Sequence, residues 1–261
     1  MTVDFKVVIP ARYASTRLPG KPLADLDGVP MVVRVAERAA RSGAGEVVVA
    51  TDDERVLEAV AAAGFQARLT RSDHASGSDR VMEVADGSCW PVDTVVVNVQ
   101  GDEPLIPPVV IGQVASLLGS DPDTGVATLC EPIADLAQVF DPNVVKVITG
   151  PDGFARYFSR APVPYARDAF AALAGNSHSG HVPEDGIWYR HIGLYGFRVG
   201  ALRQFVRLPV GRLERLEALE QLRLVEHGIG LRVAAAVAPV PGGVDTEVDL
   251  QRVREALARG D

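Results

Sequence analysis

The chain of 261 residues is short of several things. It has two cysteines, Cys89 and Cys130, which give neither a disulfide framework nor a metal-ligand spacing. Both read as reduced, buried thiols. Aromatic residues make up only 6% of the chain, and lysine occurs three times, as Lys6, Lys21 and Lys146. No apolar run approaches the roughly 20 residues of a membrane span. The opening "MTVDFKVVIPAR" has no signal-peptide apolar core, so the expectation is a cytoplasmic protein with no membrane partner. An excess of basic charge is missing too. Lys and Arg total 26 against 34 Asp and Glu, a net charge of −8, which argues against a broad nucleic-acid surface. An anion must therefore be met locally, by clustered cations or a metal ion. The patterns G-x-G-x-x-G, G-x-x-x-x-G-K-[ST] and G-x-S-x-G do not open any strand–helix junction, so dinucleotide, P-loop and serine-hydrolase readings do not apply. A reaction whose nucleophile belongs to the substrate suits this inventory better.

What is present is an ordinary globular composition, 47% hydrophobic and 23% charged. It suits one large domain, 1–261, or a domain with an insertion. The first half alternates short apolar runs with helical spacing. Strands are expected at 5–10 (FKVVIP), 46–51 (EVVVAT), 65–70, 93–100 (DTVVVNVQ) and 124–130. Helices are expected at 30–43, 52–64 and 107–119, the first with Pro30 at its start and Gly43 at its end. Repeated βα units imply an α/β fold, with a mostly parallel central sheet and helices on both faces. Ligands of such sheets sit at the carboxyl ends of the strands, where polar loops 11–22, 71–80 and 101–104 would lie. The second half changes character. Strands are expected at 143–150, 188–198 and 231–239. One amphipathic helix is expected over 212–228, on Leu213, Leu216, Leu219 and Leu222, and a closing helix over 246–260. Aromatics gather in 154–197, which suggests an inserted smaller lobe at about 143–200. Residues 171–187 read as an irregular Gly, Ser and His loop.

Four stretches have residues suited to chemistry. "IPARYASTRLPGKPL" (9–23) places Arg12, Arg17 and Lys21 between a strand and a helix; Arg gives a fork to phosphate and Lys a compact charge, while a solvated basic loop is the plain alternative. In "VVVNVQGDEP" Asp102 follows a buried strand, where a carboxylate suits a hard cation such as Mg²⁺ or simply ends the strand in a turn. In "DHASGSDR" (73–80) Ser76, Gly77 and Ser78 can offer hydroxyl and backbone N–H groups to a nucleotide, and Ser78 also reads as a helix N-cap. In "GVDTEVDL" (243–250) two readings stand: Asp245 is a second metal ligand, or Asp245 or Thr246 caps the last helix. A fifth group, Arg160, Arg167, His191, Tyr195, Glu220 and Gln221, has types suited to a hydroxylated acid. Solvation of Glu220 and packing of His191 and Tyr195 are the alternatives. His74, His178, His181 and His227 show no metal-ligand spacing.

Taken in order, "IPARYASTRLPGKPL", "ATDDERV", "DHASGSDR", "VNVQGDEP", "FDPNVVKV", "YFSRAPVPYARDAF", "RHIGLYGFR", "LEALEQLR" and "GVDTEVDL" resemble the CMP-Kdo synthetases, the 3-deoxy-manno-octulosonate cytidylyltransferases, over nearly the whole chain. The resemblance implies a Rossmann-like nucleotidyltransferase fold and a homodimer built through the inserted lobe. It implies the reaction of CTP with an anionic sugar acid, giving CMP-Kdo and pyrophosphate for lipopolysaccharide biosynthesis. A relative acting on another acid, such as a phosphonate, would share the same machinery. By this resemblance Arg12 and Lys21 meet the CTP phosphates; Ser76, Gly77, Arg80 and Gln100 surround the cytidine; Asp102 and Asp245 hold Mg²⁺. Arg160, His191, Tyr195, Glu220 and Gln221 face the acceptor. The chain departs from the family at Tyr165, where a tryptophan is usual, and at Val29, where a lysine is usual.

Overall fold

The computed structural model describes residues 3–14, 18–171, 180–183 and 188–259. Arg17 and most of the expected loop 171–187 (residues 172–179 and 184–187) lie outside the described residues. The chain divides into two compact units. One comprises Met1–Val126, Leu194–Val206 and Val237–Asp261, the other Ala127–Gly193 and Arg207–Ala236.

In chain order the first unit opens with β1 (Phe5–Ala11), a 3-10 turn (Lys21–Leu23), the short strands β2 (Asp25–Leu26) and β3 (Val29–Pro30), and α1 (Met31–Ala40). It continues with β4 (Glu46–Thr51), α2 (Glu54–Ala62), β5 (Gln66–Leu69), α3 (Gly77–Gly87), β6 (Val95–Asn98) and α4 (Pro108–Gly119). β7 (Val126–Pro132) leads into the second unit, followed by α5 (Leu136–Phe140), β8 (Lys146–Thr149), β9 (Ala155–Ser159) and α6 (Arg167–Ala171). β10 (Tyr189–Arg198) starts in the second unit and ends in the first, where α7 (Val199–Phe205) follows. α8 (Arg212–Glu217), α9 (Leu222–Glu226) and β11 (Leu231–Ala235) belong to the second unit, and α10 (Glu247–Arg259) closes the first.

In the first unit β1 pairs in parallel with both β4 and β6, through Val7↔Val47 and Val7↔Val97, and β4 pairs in parallel with β5. The end of β10 runs antiparallel to β6, with Phe197 opposite Val96. The strands are continuous apolar runs because both faces are covered. Val7, Val8, Ile9, Val48, Val49, Val96 and Val97 have no exposed surface. Each such side chain contributes about 1.5–3 kcal/mol of burial. α1 covers part of this sheet with Met31, Val32, Val35, Ala36 and Ala39, at helical spacing. Because β1, β5 and β6 all point the same way, the loops after Ala11, Leu69 and Asn98 emerge at one end of the sheet. This is the α/β, mostly parallel architecture read from the sequence.

The second unit is built on antiparallel pairing. β8 pairs with β9 through Val147↔Phe158 and with the start of β10 through Val147↔Tyr189. Beside these strands Ile133, Leu136, Val139, Phe170 and Trp188 form an apolar cluster, with the Phe170 and Trp188 rings stacked at 5.5 Å. The helix expected over 212–228 is instead two short helices, α8 and α9. Ala218 separates them in the left-handed conformation, at φ 51° and ψ 49°. The leucine spacing is helical, but Leu216 is 73% exposed while Leu219 is buried, so the pattern does not mark one continuous buried face. The physical reason lies in Glu217. Its carboxylate and main chain are taken by β9 and the residue after it, as described below. Of the two thiols, Cys130 is buried but Cys89 is exposed, which corrects the expectation that both are buried. Among the described residues no helix is long and apolar enough to cross a membrane.

Candidate active site

The end of the first unit's sheet holds a cavity of about 370 Å³. Arg12, Lys21, Ser76, Gly77, Arg80, Gln100, Asp102 and Asp245 all line it, together with Pro10 and His74. The eight residues assigned from sequence to the nucleotide and metal are therefore brought together, from segments as far apart as 12 and 245.

Each side chain has a local reason for its place. Arg12 leaves the end of β1 and is exposed. Lys21 opens the 3-10 turn, just after Gly20 at φ 69°. The left-handed backbone favours glycine there, and a Cβ would also stand 3.1 Å from the Tyr13 hydroxyl. Gly101 lets the loop after β6 pass close to the end of β1; a Cβ there would stand 2.9 Å from the Pro10 carbonyl oxygen. That close passage delivers Asp102 to the cavity. The backbone N–H of Val244 donates to the Asp102 carbonyl at 2.8 Å, which brings the "GVDT" segment alongside.

At the centre, Lys21 Nζ donates to Asp102 Oδ2 at 2.5 Å, to the Val244 carbonyl at 2.7 Å and to Asp245 Oδ1 at 3.1 Å. Charge-assisted bonds of this kind are short and strong. Of the cap candidates Asp245 and Thr246, the structure uses Thr246. Thr246 and Asp249 cap each other: Asp249 N–H donates to Thr246 Oγ1 at 3.3 Å, and Thr246 N–H donates to Asp249 Oδ2 at 3.0 Å. Thr246 thus serves the helix start and leaves the Asp245 carboxylate turned to Lys21. Three oxygens, two of them carboxylate, surround one cation. That donor set fits a hard divalent cation such as Mg²⁺. Among the described residues no group of three or more His, Cys, Asp or Glu is arranged to hold a metal. An ion held here would lean on two carboxylates and complete its shell with water and substrate phosphate, the habit of Mg²⁺.

The nucleotide side differs from the sequence reading in two respects. The N-cap of α3 is Ser76, not Ser78. Ser76 and Asp79 form a capping box, with the Asp79 N–H on Ser76 Oγ at 3.2 Å and the Ser76 N–H on Asp79 Oδ2 at 3.0 Å, while Ser78 is buried. The cavity therefore meets the α3 N-terminus at Ser76 and Gly77, where backbone dipoles favour an anion. Second, Arg80 is 3% exposed and already paired. Its Nη2 donates to Asp52 Oδ2 at 3.2 Å and its Nη1 to Thr70 Oγ1. The other Asp52 oxygen accepts the Tyr13 backbone N–H at 3.1 Å. Asp52 thus ties the pocket arginine to the loop that carries Arg12. The Tyr13 ring in turn lies under the Arg55 guanidinium, 3.7 Å from the ring centre. The Gln100 amide donates to Asn98 Oδ1 at 3.0 Å, which orients it at the end of β6.

Two of these residues were missed in the sequence. Asp52 sits in "ATDDERV", counted into the helix expected over 52–64. Its neighbour Asp53 is the true N-cap of α2. His74 showed no ligand spacing, yet it lines the cavity with its Nε2 hydrogen-bonded to Glu83. Its nearness to Ser76 and Gly77 was the available signal.

The five acceptor-side residues do not share one unit. Tyr195 lies in the first, opposite Asn98 on β6. Arg160, His191, Glu220 and Gln221 lie in the second. There Arg160 donates through Nε to the Glu217 carbonyl at 2.7 Å, and through Nη1 to the Pro142 carbonyl at 2.8 Å. It is thereby held against the turn that leads into Glu220 and Gln221. His191 Nε2 is 3.1 Å from Thr128 Oγ1, and its ring meets Phe158 edge-on at 4.9 Å. The Thr128 hydroxyl donates to the Ile192 carbonyl at 3.0 Å, so the imidazole nitrogen is the donor in the pair with Thr128. Desolvation, with the neighbouring Arg190 charge adding to it, pushes the His191 pKa down to about 3. The ring is neutral near pH 7.

Comparison with known proteins shows the family. The cytidylyltransferase family model matches residues 6–232. A 3-deoxy-manno-octulosonate cytidylyltransferase of Pseudomonas syringae is 53% identical over 98% of this chain and 99% of its own. One from Nitrosococcus oceani is 49% identical over 98% and 97%. A solved structure of CMP:2-keto-3-deoxy-manno-octonic acid synthetase complexed with CTP is 42% identical, covers 99% of this chain and 100% of its own, and superposes with a TM-score of 0.88. The chain belongs to the cytidylyltransferase family, among the 3-deoxy-manno-octulosonate cytidylyltransferases.

Proposed function

We propose that the protein transfers CMP from CTP to 3-deoxy-manno-octulosonate (Kdo). An acceptor hydroxyl loses its proton and attacks the α-phosphorus; the new P–O bond forms as the α–β anhydride bond breaks and pyrophosphate leaves. The observation that carries the reading is the convergence of Lys21, Asp102 and Asp245 at the carboxyl end of the parallel strands, in a chain about half identical to enzymes named for this reaction.

The chemistry asks mainly for charge and position. Attack by an anionic acid on a polyanion needs negative charge neutralised on the triphosphate and on the departing pyrophosphate. Arg12 and Lys21 supply fixed cations for it. Asp102 and Asp245 would hold Mg²⁺, which when bound neutralises phosphate charge. The α3 N-terminus at Ser76 and Gly77, with Gln100, receives the cytidine side, and Arg80 forms the floor there. In the second unit Arg160, His191, Glu220 and Gln221 receive the acid, the arginine meeting its carboxylate. We further propose that the working form is a homodimer built through the second unit and that it acts in the cytoplasm.

The test is pyrophosphate release from CTP and Mg²⁺ with a panel of acids. Release is expected with Kdo. Release with a phosphonate acid and none with Kdo would overturn the acceptor and leave the cytidylyltransferase class standing.

A further inference from the structure

The second unit contains a charged cluster that the reaction, as derived so far, does not use. Lys146, at the start of β8, has no exposed surface. Its three ammonium protons go to three backbone carbonyls: Asp141 at 2.9 Å, Val144 at 2.6 Å and Arg160 at 2.7 Å. Among the described residues no carboxylate bonds it directly. Burial lowers its pKa, against the opposing pull of the Asp141 and Glu217 charges. Burying an ammonium is costly, and here the cost is offset by bonding all three of its protons. The charge is used to hold three carbonyls to one point, one of them the carbonyl of Arg160.

Glu217, the last residue of α8, holds the same residue from the other side. Its carboxylate accepts the Arg160 backbone N–H at 2.9 Å and the Ser159 hydroxyl at 2.7 Å. Its carbonyl accepts Arg160 Nε at 2.7 Å, and the Ala218 carbonyl accepts Nη2 at 3.4 Å. With the Pro142 carbonyl on Nη1, partners among the described residues take three of the five guanidinium protons, and on that count one remains on each terminal nitrogen. That pair is what a carboxylate meets in a two-pronged contact. Ala218 sits in a left-handed conformation that costs energy for a residue with a Cβ. The strain falls where the carbonyls of 217 and 218 turn toward Arg160, one residue before Leu219 and two before Glu220.

We infer that Lys146 and Glu217 are positioning residues for the acceptor, fixing the Arg160 backbone from both sides so that its guanidinium is presented in one orientation. The inference rests on the reading that Arg160 meets the acceptor carboxylate. Both ends of the cluster land on the main chain of that one residue, which general packing does not require. A preset fork loses less freedom on binding, so removing the frame weakens acceptor use without touching CTP.

The experiment uses the full chain with Glu217→Gln, Lys146→Met and, as reference, Arg160→Ala. KM and kcat for Kdo are measured at saturating CTP, CTP affinity by calorimetry, and folding by melting. Glu217→Gln keeps the acceptor oxygen but loses the charge. Its expected result is a rise in the KM for Kdo on the order of 10- to 100-fold, with CTP affinity within about twofold of the parent. Lys146→Met is expected to follow the same split; if it does not fold, Glu217→Gln decides. A KM for Kdo that stays within about twofold in Glu217→Gln while Arg160→Ala raises it overturns the inference and spares the role of Arg160. CTP affinity falling in parallel with Kdo in Glu217→Gln overturns it as well, because that is the mark of general destabilisation. Arg160→Ala leaving the KM for Kdo unchanged overturns both.

Discussion

Lys21 and Lys146 are two of only three lysines in the chain, one in each unit, and they are held in opposite ways. Lys21 stands among two carboxylates and one carbonyl in an open cavity, with its side chain 15% exposed. Lys146 stands among three carbonyls with no exposure. Carboxylates on loops can trade one cation for another, and an ammonium can trade carboxylate for phosphate. Backbone carbonyls fixed in a turn and a strand end have no such alternative. The first unit therefore keeps its charge exchangeable, as suits a polyanionic substrate that arrives with metal. The second keeps its charge locked, as the proposed acid site asks.

The largest effect should come from removing exchange. Asp102→Asn replaces a carboxylate with a poor ligand for a hard cation, and turnover is expected to fall about 100- to 1000-fold with melting little changed. Pyrophosphate release measures it, and near-normal turnover would take Asp102 out of the metal site. Lys21→Met sharpens the same point with a readout other than activity. With the resident ammonium gone, Asp102 and Asp245 should take up Mg²⁺ without CTP. The melting temperature should then rise more with added Mg²⁺ than it does in the parent. An equal rise in both would mean that the ammonium and the metal do not compete. On the locked side, Lys146→Met leaves three carbonyls without their donor, at a cost of about 1–3 kcal/mol for each that finds no water. That loss should not respond to Mg²⁺.

A smaller effect is expected where the two modes meet, at Asp52. Its carboxylate is locked between buried Arg80 and the Tyr13 amide, yet it serves the exchanging site. Asp52→Asn keeps one acceptor and removes the charge that balances Arg80. The KM for CTP is expected to rise about tenfold, as for the loss of one charged hydrogen bond, with the KM for Kdo unchanged.

This contrast also explains what could be read from sequence. The parallel sheet was legible because strands buried on both faces are apolar along their middles, as "VVI", "VVVA" and "VVV" are in β1, β4 and β6. Arg12, Lys21 and Asp102 were legible because exchangeable charge sits on loops at strand ends, beside Gly20 and Gly101, while Arg80 and Gln100 were named only through the family resemblance. The locked side was not. Lys146 lies inside an apolar strand run and Glu217 inside a run of Glu, Arg and Leu, where both look like ordinary members of their elements. The helix expected over 212–228 failed at Ala218 for the same reason. Nothing in "LERLEALEQL" signals that Arg160, more than fifty residues earlier, takes the carbonyls that would continue the helix. Tertiary bonds of that kind leave no periodicity.

The smallest effect concerns His191, which the comparison places on the locked side. Its pKa is lowered from 6.5 to about 3 by desolvation and Arg190, so the folded state binds fewer protons than the unfolded state between these values. Stability therefore rises with pH across that window, and it falls as pH drops below about 6.5, when the unfolded imidazole takes a proton that the folded one refuses. His191→Gln removes this term. Its melting temperature should fall less steeply than that of the parent from about pH 7 to about pH 5, by a few degrees at the acid end. Activity in the parent should show no inflection from His191 over the same range. A steeper loss in the variant, or a parent pH–rate step near 6.5 that His191→Gln abolishes, would mean that the imidazole exchanges protons in the working enzyme and belongs with the exchangeable charges around Lys21.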